Sequence, residues 1–546
     1  MALENQPPWL SAGLPVGQLN VLVIDEGELS RSVLSRILRE LGVRHQQLHM
    51  ARRPEEARRL IKSAPQPYDV IISDMTFRQQ GSNDMTGQDL LDELRQAKGL
   101  PMQTAFIMVT GEARYQHVAE ALEGALDDYL LKPFTARQFE ERLQVVLERK
   151  QAFRHVFQAI EASDYADAAR LCEEMFRDSP AYKVYAARIG SELYLRLGQL
   201  DAARRMLEAV LAYKAVPWAR LGLAKIDLGG ADADKACRAL ETLLAENPAY
   251  ADAYDVYGHA LLEDMKVEAA VEVFAKAVQI TPGNISRLQK LGTLQLFLGY
   301  SGEAAKHLGA ALTIGAQSRA LDYQGVVALA IASLDLANPD GCERARKCLQ
   351  GALGRHPDSY RIRMLNLAIE VALQLTLRRA APALVALREL ASQIDRPDFT
   401  YEMAGNLILL LVRCAGQQPI PEAATWATRL ARRFCVSRPR TRLLELAASA
   451  MPAIETLVRD AAAGINAQAN EAMSHLVGKQ HQRTLEALAE LAQSSLNARI
   501  INLARATLAH HGQHLASDAL SRLRQAIEPL HASYTEAGRR LVERRD

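Results

Sequence analysis

Aromatic residues make up only 5% of the 546. Large rings therefore cannot dominate the cores, and the filling falls to small and straight-chain residues, which favour helices. There is no excess of either charge: lysine plus arginine is 65 against 64 acidic residues. That balance removes the electrostatic argument for nucleic acid, an anionic membrane or an acidic partner. Long apolar runs are also missing. The longest, such as Leu407–Val412 and Val326–Ile331, fall far short of the ~20 residues a membrane-spanning helix needs, so no membrane partner is expected. Residues 1–18 have no basic start followed by an apolar run and read as a flexible leader rather than a secretory signal. The six cysteines (Cys172, Cys237, Cys342, Cys348, Cys414 and Cys435) form no CxxC pair. This excludes a zinc ribbon or disulfide framework, and scattered reduced thiols fit a cytoplasmic location. No nucleotide-binding glycine loop, Ser-His-Asp set, cyclase or phosphodiesterase signature, or helix-turn-helix segment is present, so no enzyme is expected.

What the sequence does contain begins with alternating strands and helices. Leu19–Asp25, Tyr68–Asp74, Thr104–Thr110 and Tyr129–Leu131 are short apolar runs. Helical spacing separates them at Arg31–Leu41, Pro54–Lys62, Asp89–Ala97 and Val118–Leu126, and a last helix starts at Ala136. Continuous apolar strands between amphipathic helices imply a parallel sheet covered on both faces. Its site lies at the carboxyl ends of the strands, where Asp25, Glu26, Asp74, Thr110 and Lys132 fall.

That set is chemically coherent. Three carboxylates at one edge repel one another unless a cation sits among them, and hard oxygen ligands with open water positions suit Mg²⁺. Asp74 is then the nucleophile, because a carboxylate can accept a phosphoryl group as an acyl phosphate. The metal and Lys132 neutralise charge on the transferring oxygens, and Thr110 hydrogen-bonds one of them.

From about Leu19 to Lys150 the chain resembles the response-regulator receiver family. The resemblance rests on Asp25-Glu26, the strand ending in Asp74, Met85-Thr86-Gly87, Thr110-Gly111 and Lys132-Pro133-Phe134. It implies a flavodoxin-like, doubly wound α/β fold with a five-stranded parallel sheet. It also implies phosphotransfer from a histidine kinase or phosphotransfer protein, Mg²⁺ dependence, and a cis bond before Pro133. The backbone carbonyl of Thr76 would be a further metal ligand, and Thr110 and Tyr129 the switch pair. The sequence departs from the pattern in one place. The family's glycine follows the phosphoacceptor by about eight residues, whereas Asp74 to Gly87 is thirteen. The family's proline is absent there, and the extra stretch RQQGSND is polar and expected to be flexible.

The rest lacks strand patterns and repeats with a period near 34 residues. The best copy has Tyr254, Tyr257, Gly258, Leu261, Ala270, Phe274, Ala277 and Pro282. Small residues let paired helices pack closely, large ones fill the space between pairs, and proline ends the second helix. These copies resemble tetratricopeptide repeats. An all-α helical-repeat superhelix over residues 151–357 is expected, its groove holding a protein or peptide partner. Residues 358–546 read as further degenerate repeats with a terminal cap.

Around the junction at residue 150, Phe139, Leu143, Val146, Phe153, Phe157 and Ile160 keep a 4-3 spacing, with Lys150 at the skipped slot. Either a continuous, barely broken helix joins receiver to repeats, or two helices meet at a kink near Lys150–Phe153.

Two clusters remain. Arg429, Arg432, Arg433, Arg438, Arg440 and Arg442 form a basic run, but tracking phosphates needs a wider face. His510 and His514 have i,i+4 spacing with His511 between them, but no acid or cysteine stands nearby in sequence. Three functional readings follow. The first is a response regulator phosphorylated on Asp74, with a repeat output and homodimerisation through the 113–150 face. The second is a constitutive scaffold whose receiver is a docking module. The third is a nucleic-acid-associated regulator acting through the arginine run.

Overall fold

In the computed structural model, Val21–Ile24 (β1), Leu48–Ala51 (β2), Val70–Asp74 (β3), Ala105–Thr110 (β6) and Asp128–Leu131 (β7) form one parallel sheet in the order β2-β1-β3-β6-β7. The structure describes residues 18–77, 85–96, 99–111, 127–230, 232–316 and 320–535. The leader up to residue 17, the helix expected at 118–126 and the stretch 78–84 lie outside them. Contacts divide the chain into two units, Met1–Leu288 with Thr313–Leu321, and Gln289–Leu312 with Asp322–Asp546.

β1 reads VLVI and is buried on both faces. Because side chains alternate along a strand, Val21 and Val23 enter one core with Leu34, Leu38, Phe139 and Leu143, from helices α1 (Glu28–Glu40) and α4 (Ala136–Ala152). Leu22 and Ile24 enter the opposite core with Ala57, Leu90 and Leu91, from α2 (Pro54–Ser63) and α3 (Gly87–Gln96). This is the doubly wound arrangement expected. β2 was not legible as a strand: LHMA is short and half-buried over its first three residues.

The long segment after Asp74 is shaped at its ends. Thr76–Phe77 (β4) pairs antiparallel with Met85–Thr86 (β5).

At the junction, α4 ends at Ala152 and α5 (Arg154–Glu161) begins after the single residue Phe153. The helical bonding runs across the break: Phe153 N donates to Arg149 O at 3.1 Å and Phe157 N to Phe153 O at 3.0 Å. Phe153 is fully buried, with Tyr185 edge-on at 4.7 Å. Lys150, at the skipped apolar slot, is buried as well. Its Nζ lies 2.9 Å from Asp127 Oδ1 and donates to Met102 O at 2.8 Å.

Antiparallel helix pairs follow in the first unit: α5 with α6 (Tyr165–Asp178), α7 (Lys183–Arg196) with α8 (Leu200–Tyr213), α9 (Pro217–Gly229) with α10 (Ala233–Glu246), and α11 (Ala251–Glu263) with α12 (Val267–Ile280). The leading helices open at Lys183, Pro217 and Ala251, and the next at Ile285, 34 residues apart each time. Gly190, Ala224, Gly258 and Gly292 share one position in that period. The reason is close approach: a Cβ at Gly258 would lie 2.5 Å from Phe274 Cζ. Tyr257 reaches the preceding pair, its hydroxyl 2.6 Å from Glu241 Oε1. In the second unit, helix pairs continue at Tyr323–Asp335 with Pro339–Arg355 and Tyr360–Thr376 with Ala380–Ser392, and helices run on to Tyr534.

Candidate functional site

Lys132, the residue after β7, stands between two carboxylates. Its Nζ lies 2.8 Å from Asp25 Oδ2 and 3.3 Å from Asp74 Oδ2. The sheet produces this meeting, since β1 ends one residue before Asp25, β3 ends on Asp74, and β7 ends one residue before Lys132. The Lys132–Pro133 bond is cis, as expected.

Asp25 is buried and held on both oxygens. Gly27 N donates to Oδ1 at 2.7 Å and Ser30 Oγ to Oδ2 at 2.6 Å. Arg31 donates to the carbonyls of Asp25 and Glu26, the latter at 2.9 Å. Asp74 Oδ1 accepts from Met75 N at 2.8 Å. Ser30 and Arg31 were not singled out from the sequence. They sit in the first turn of α1, immediately after the acidic pair, and that position is the signal for them.

Burial pushes the Asp74 carboxyl above its ordinary range. Lys132 pulls it back, and Asp25 pushes it up again. For Lys132, burial works against the ammonium, but bonding to Asp25 and the charge of Asp74 outweigh it and raise its pKa. The two partners thus disagree about the ion pair: Lys132 gains from it, whereas Asp74 still pays for its position. One ammonium does not cancel the negative charge gathered here, which is the environment a divalent cation relieves. With half-buried Glu26 beside Asp25, the donors are hard oxygens of the kind Mg²⁺ prefers.

The other expected residues flank this centre. Thr110 ends β6, is buried, and its carbonyl accepts Lys132 N at 2.6 Å. Tyr129 is half-buried against the core that holds Leu22 and Phe106, and the Arg142 guanidinium lies 5.9 Å over its ring. Thr76 lies in β4, two residues past Asp74. Gly87 returns to Asp74 despite the longer connection: a Cβ there would lie 2.4 Å from Asp74 O.

The arginine run does not form one face. Arg433 is buried and donates to the carbonyls of Ile394, Arg396 and Phe399. Arg429 pairs with Asp395 and Arg442 with Glu445. The six cysteines are free thiols. Among the described residues no helix is long and apolar enough to cross a membrane.

Comparison with known proteins agrees with this geometry. A model of the response regulator receiver domain matches residues 21–144, and a tetratricopeptide repeat model matches 159–226. Chemotaxis protein CheY-3 of Vibrio cholerae is 28% identical over 138 residues, 24% of this chain and 93% of that protein. The two-component response regulator PhoP of Pseudomonas aeruginosa is 28% identical over 193 residues, 35% of this chain and 78% of that protein. A tetratricopeptide repeat protein from Parabacteroides merdae aligns at 14% identity and a TM-score of 0.33, over 47% of this chain and 95% of its own. The chain thus carries a response regulator receiver domain followed by tetratricopeptide repeats, the make-up of a signalling and interaction protein.

Proposed function

We propose that the protein is a two-component response regulator that takes a phosphoryl group on Asp74 and answers through protein binding by its repeats, without a DNA-binding domain. The observation that carries this reading is Lys132 held between Asp25 and Asp74 at the sheet's carboxyl edge. Asp25, Glu26, Asp74 and the backbone carbonyl of Thr76 would hold Mg²⁺, which when bound neutralises charge on the phosphoryl oxygens. Asp74 supplies the nucleophilic oxygen, Lys132 orients and balances the incoming group, and Thr110 takes up a hydrogen bond to it. A histidine kinase or phosphotransfer protein would be the donor, in the cytoplasm. The receiver would span 19–150 and the repeats 151–357, with degenerate repeats and a cap beyond. Homodimerisation through the 113–150 face stays an expectation, part of which falls on residues outside those described.

One route from site to output is short. α3 opens at Gly87, against the Asp74 carbonyl, and carries Asp92 one and a half turns later. Asn284 Nδ2, just ahead of the repeat helix opening at Ile285, donates to Asp92 Oδ2 at 3.4 Å. Beside it the buried Arg287 pairs with Asp252 and Asp255 within the field of Asp92.

The test is beryllofluoride with Mg²⁺, a mimic of the phosphorylated state, in a pull-down comparing wild type with Asp74→Ala. A partner set that changes only in wild type supports switching. The constitutive scaffold is the second reading, favoured by the buried Lys150–Asp127 pair and by Phe153, which fix the receiver to the first repeat. Identical partner affinity in both proteins under both conditions would decide for it.

A further inference from the structure

Helix His481–Ser495 begins with a histidine, and helix Ala498–His511 ends with one. The short 3-10 turn Gly512–His514 that follows ends with a third. The fold brings these three together. The His481 ring lies 4.5 Å from the His514 ring and 5.0 Å from the His511 ring, centroid to centroid. One nitrogen from each ring lies within 4.8 Å of the other two. The i,i+4 pair that drew notice in the sequence, His510 with His514, is not the pair the fold uses. The helix stops at His511, and His510 points to solvent.

Two features mark this trio as more than packing. His481 Nδ1 is buried and has no hydrogen-bond partner, a state a ring nitrogen avoids unless something accepts its lone pair or proton. A cleft of about 420 Å³ opens beside His481 and His514.

We propose that His481, His511 and His514 bind a borderline divalent transition ion, Zn²⁺ foremost, as a three-nitrogen site with its fourth position open to solvent. Zn–N bonds of ~2.0–2.1 Å in tetrahedral geometry set ligand nitrogens about 3.4 Å apart, so nitrogens now within 4.8 Å of one another close as the stacked rings turn to aim their lone pairs at one point. Three imidazoles with no carboxylate in the set select Zn²⁺, Cu²⁺ or Ni²⁺ over Mg²⁺ or Ca²⁺. Lys479, Arg483 and Glu486 also line the cleft, so charges of both signs surround the open position. The ion would pin the start of one helix to the end of the next within the C-terminal helices.

The test is titration of the full chain, free of any polyhistidine tag, with Zn²⁺ by calorimetry and with Co²⁺ by absorption. One saturable equivalent is expected. Co²⁺ should give tetrahedral d–d bands without thiolate charge transfer, which separates the site from the cysteines. His481→Ala, His511→Ala and His514→Ala should each weaken binding at least ~10-fold, while His510→Ala leaves it unchanged. Circular dichroism on each variant verifies folding. Absence of saturable binding, or equal affinity in all four variants, overturns the site. Loss in His510→Ala as great as in the others would reduce it to non-specific surface binding and overturn it too.

Discussion

Asn284 and Asp92 stand 192 residues apart in the chain and meet at 3.4 Å. Asp92 lies on the receiver helix that opens at Gly87 against the Asp74 carbonyl, and Asn284 is a buried residue of the repeats. If this contact carries the signal, beryllofluoride with Mg²⁺ should speed amide hydrogen exchange over residues 89–96 and 281–288 in wild type and leave Asp74→Ala unchanged. Asp92→Ala should exchange fast in both segments without the mimic. Protection unaltered by the mimic in wild type would place the output elsewhere.

Lys150 and Asp127 give a prediction about stability. Removing one partner of a buried ion pair strands the other charge and costs about 3–5 kcal/mol. Lys150→Ala should therefore lower the first unfolding transition in denaturant by that amount. Lys150→Met combined with Asp127→Asn should recover part of it, because no charge is then left alone. A loss below about 1 kcal/mol in Lys150→Ala would mean the pair contributes little.

Asp74 should make the fold less stable when ionised. Its folded pKa is raised above the ordinary 3.8, so the folded state binds the proton more tightly than the unfolded chain. Stability then falls as pH rises through the window between the two values, and the deficit is complete above it. Asp74→Asn should accordingly melt higher than wild type at pH 7, and the gain should vanish below about pH 3.8. Adding Mg²⁺ should shrink the gain at pH 7 by stabilising wild type alone. A lower melting temperature for Asp74→Asn at pH 7 would refute the sign.

Gly258→Ala tests the repeat packing. The added methyl lands 2.5 Å from Phe274 Cζ, and overpacking of this kind costs about 1–3 kcal/mol. Phe274→Leu should relieve part of that cost in the double variant, giving a non-additive cycle measured by denaturant unfolding.

Much of this architecture was legible because it is local and periodic. Fully apolar strands announced the sheet, and the acids and lysine at strand ends announced the site. The 34-residue spacing of small residues announced the repeats. What escaped depends on partners distant in sequence. β2 is half-buried, so LHMA lacks the apolar signature. Lys150 read as a gap in an apolar stripe because its partner, Asp127, sits just ahead of another strand. The arginine run read as a surface because nothing in it reveals that Arg433 caps carbonyls at 394–399. The histidine trio was obscured by a helix end, which broke the i,i+4 rule and substituted a residue thirty positions upstream.

The β4–β5 ladder has a consequence for how domains of this kind tolerate change. Thr76–Phe77 paired with Met85–Thr86 brings the two ends of the long spacing together, and Gly87 packs on the Asp74 carbonyl despite the thirteen-residue separation. Sequence spacing between Asp74 and the glycine that packs on its carbonyl is therefore an elastic measure: what is kept is the contact, not the count.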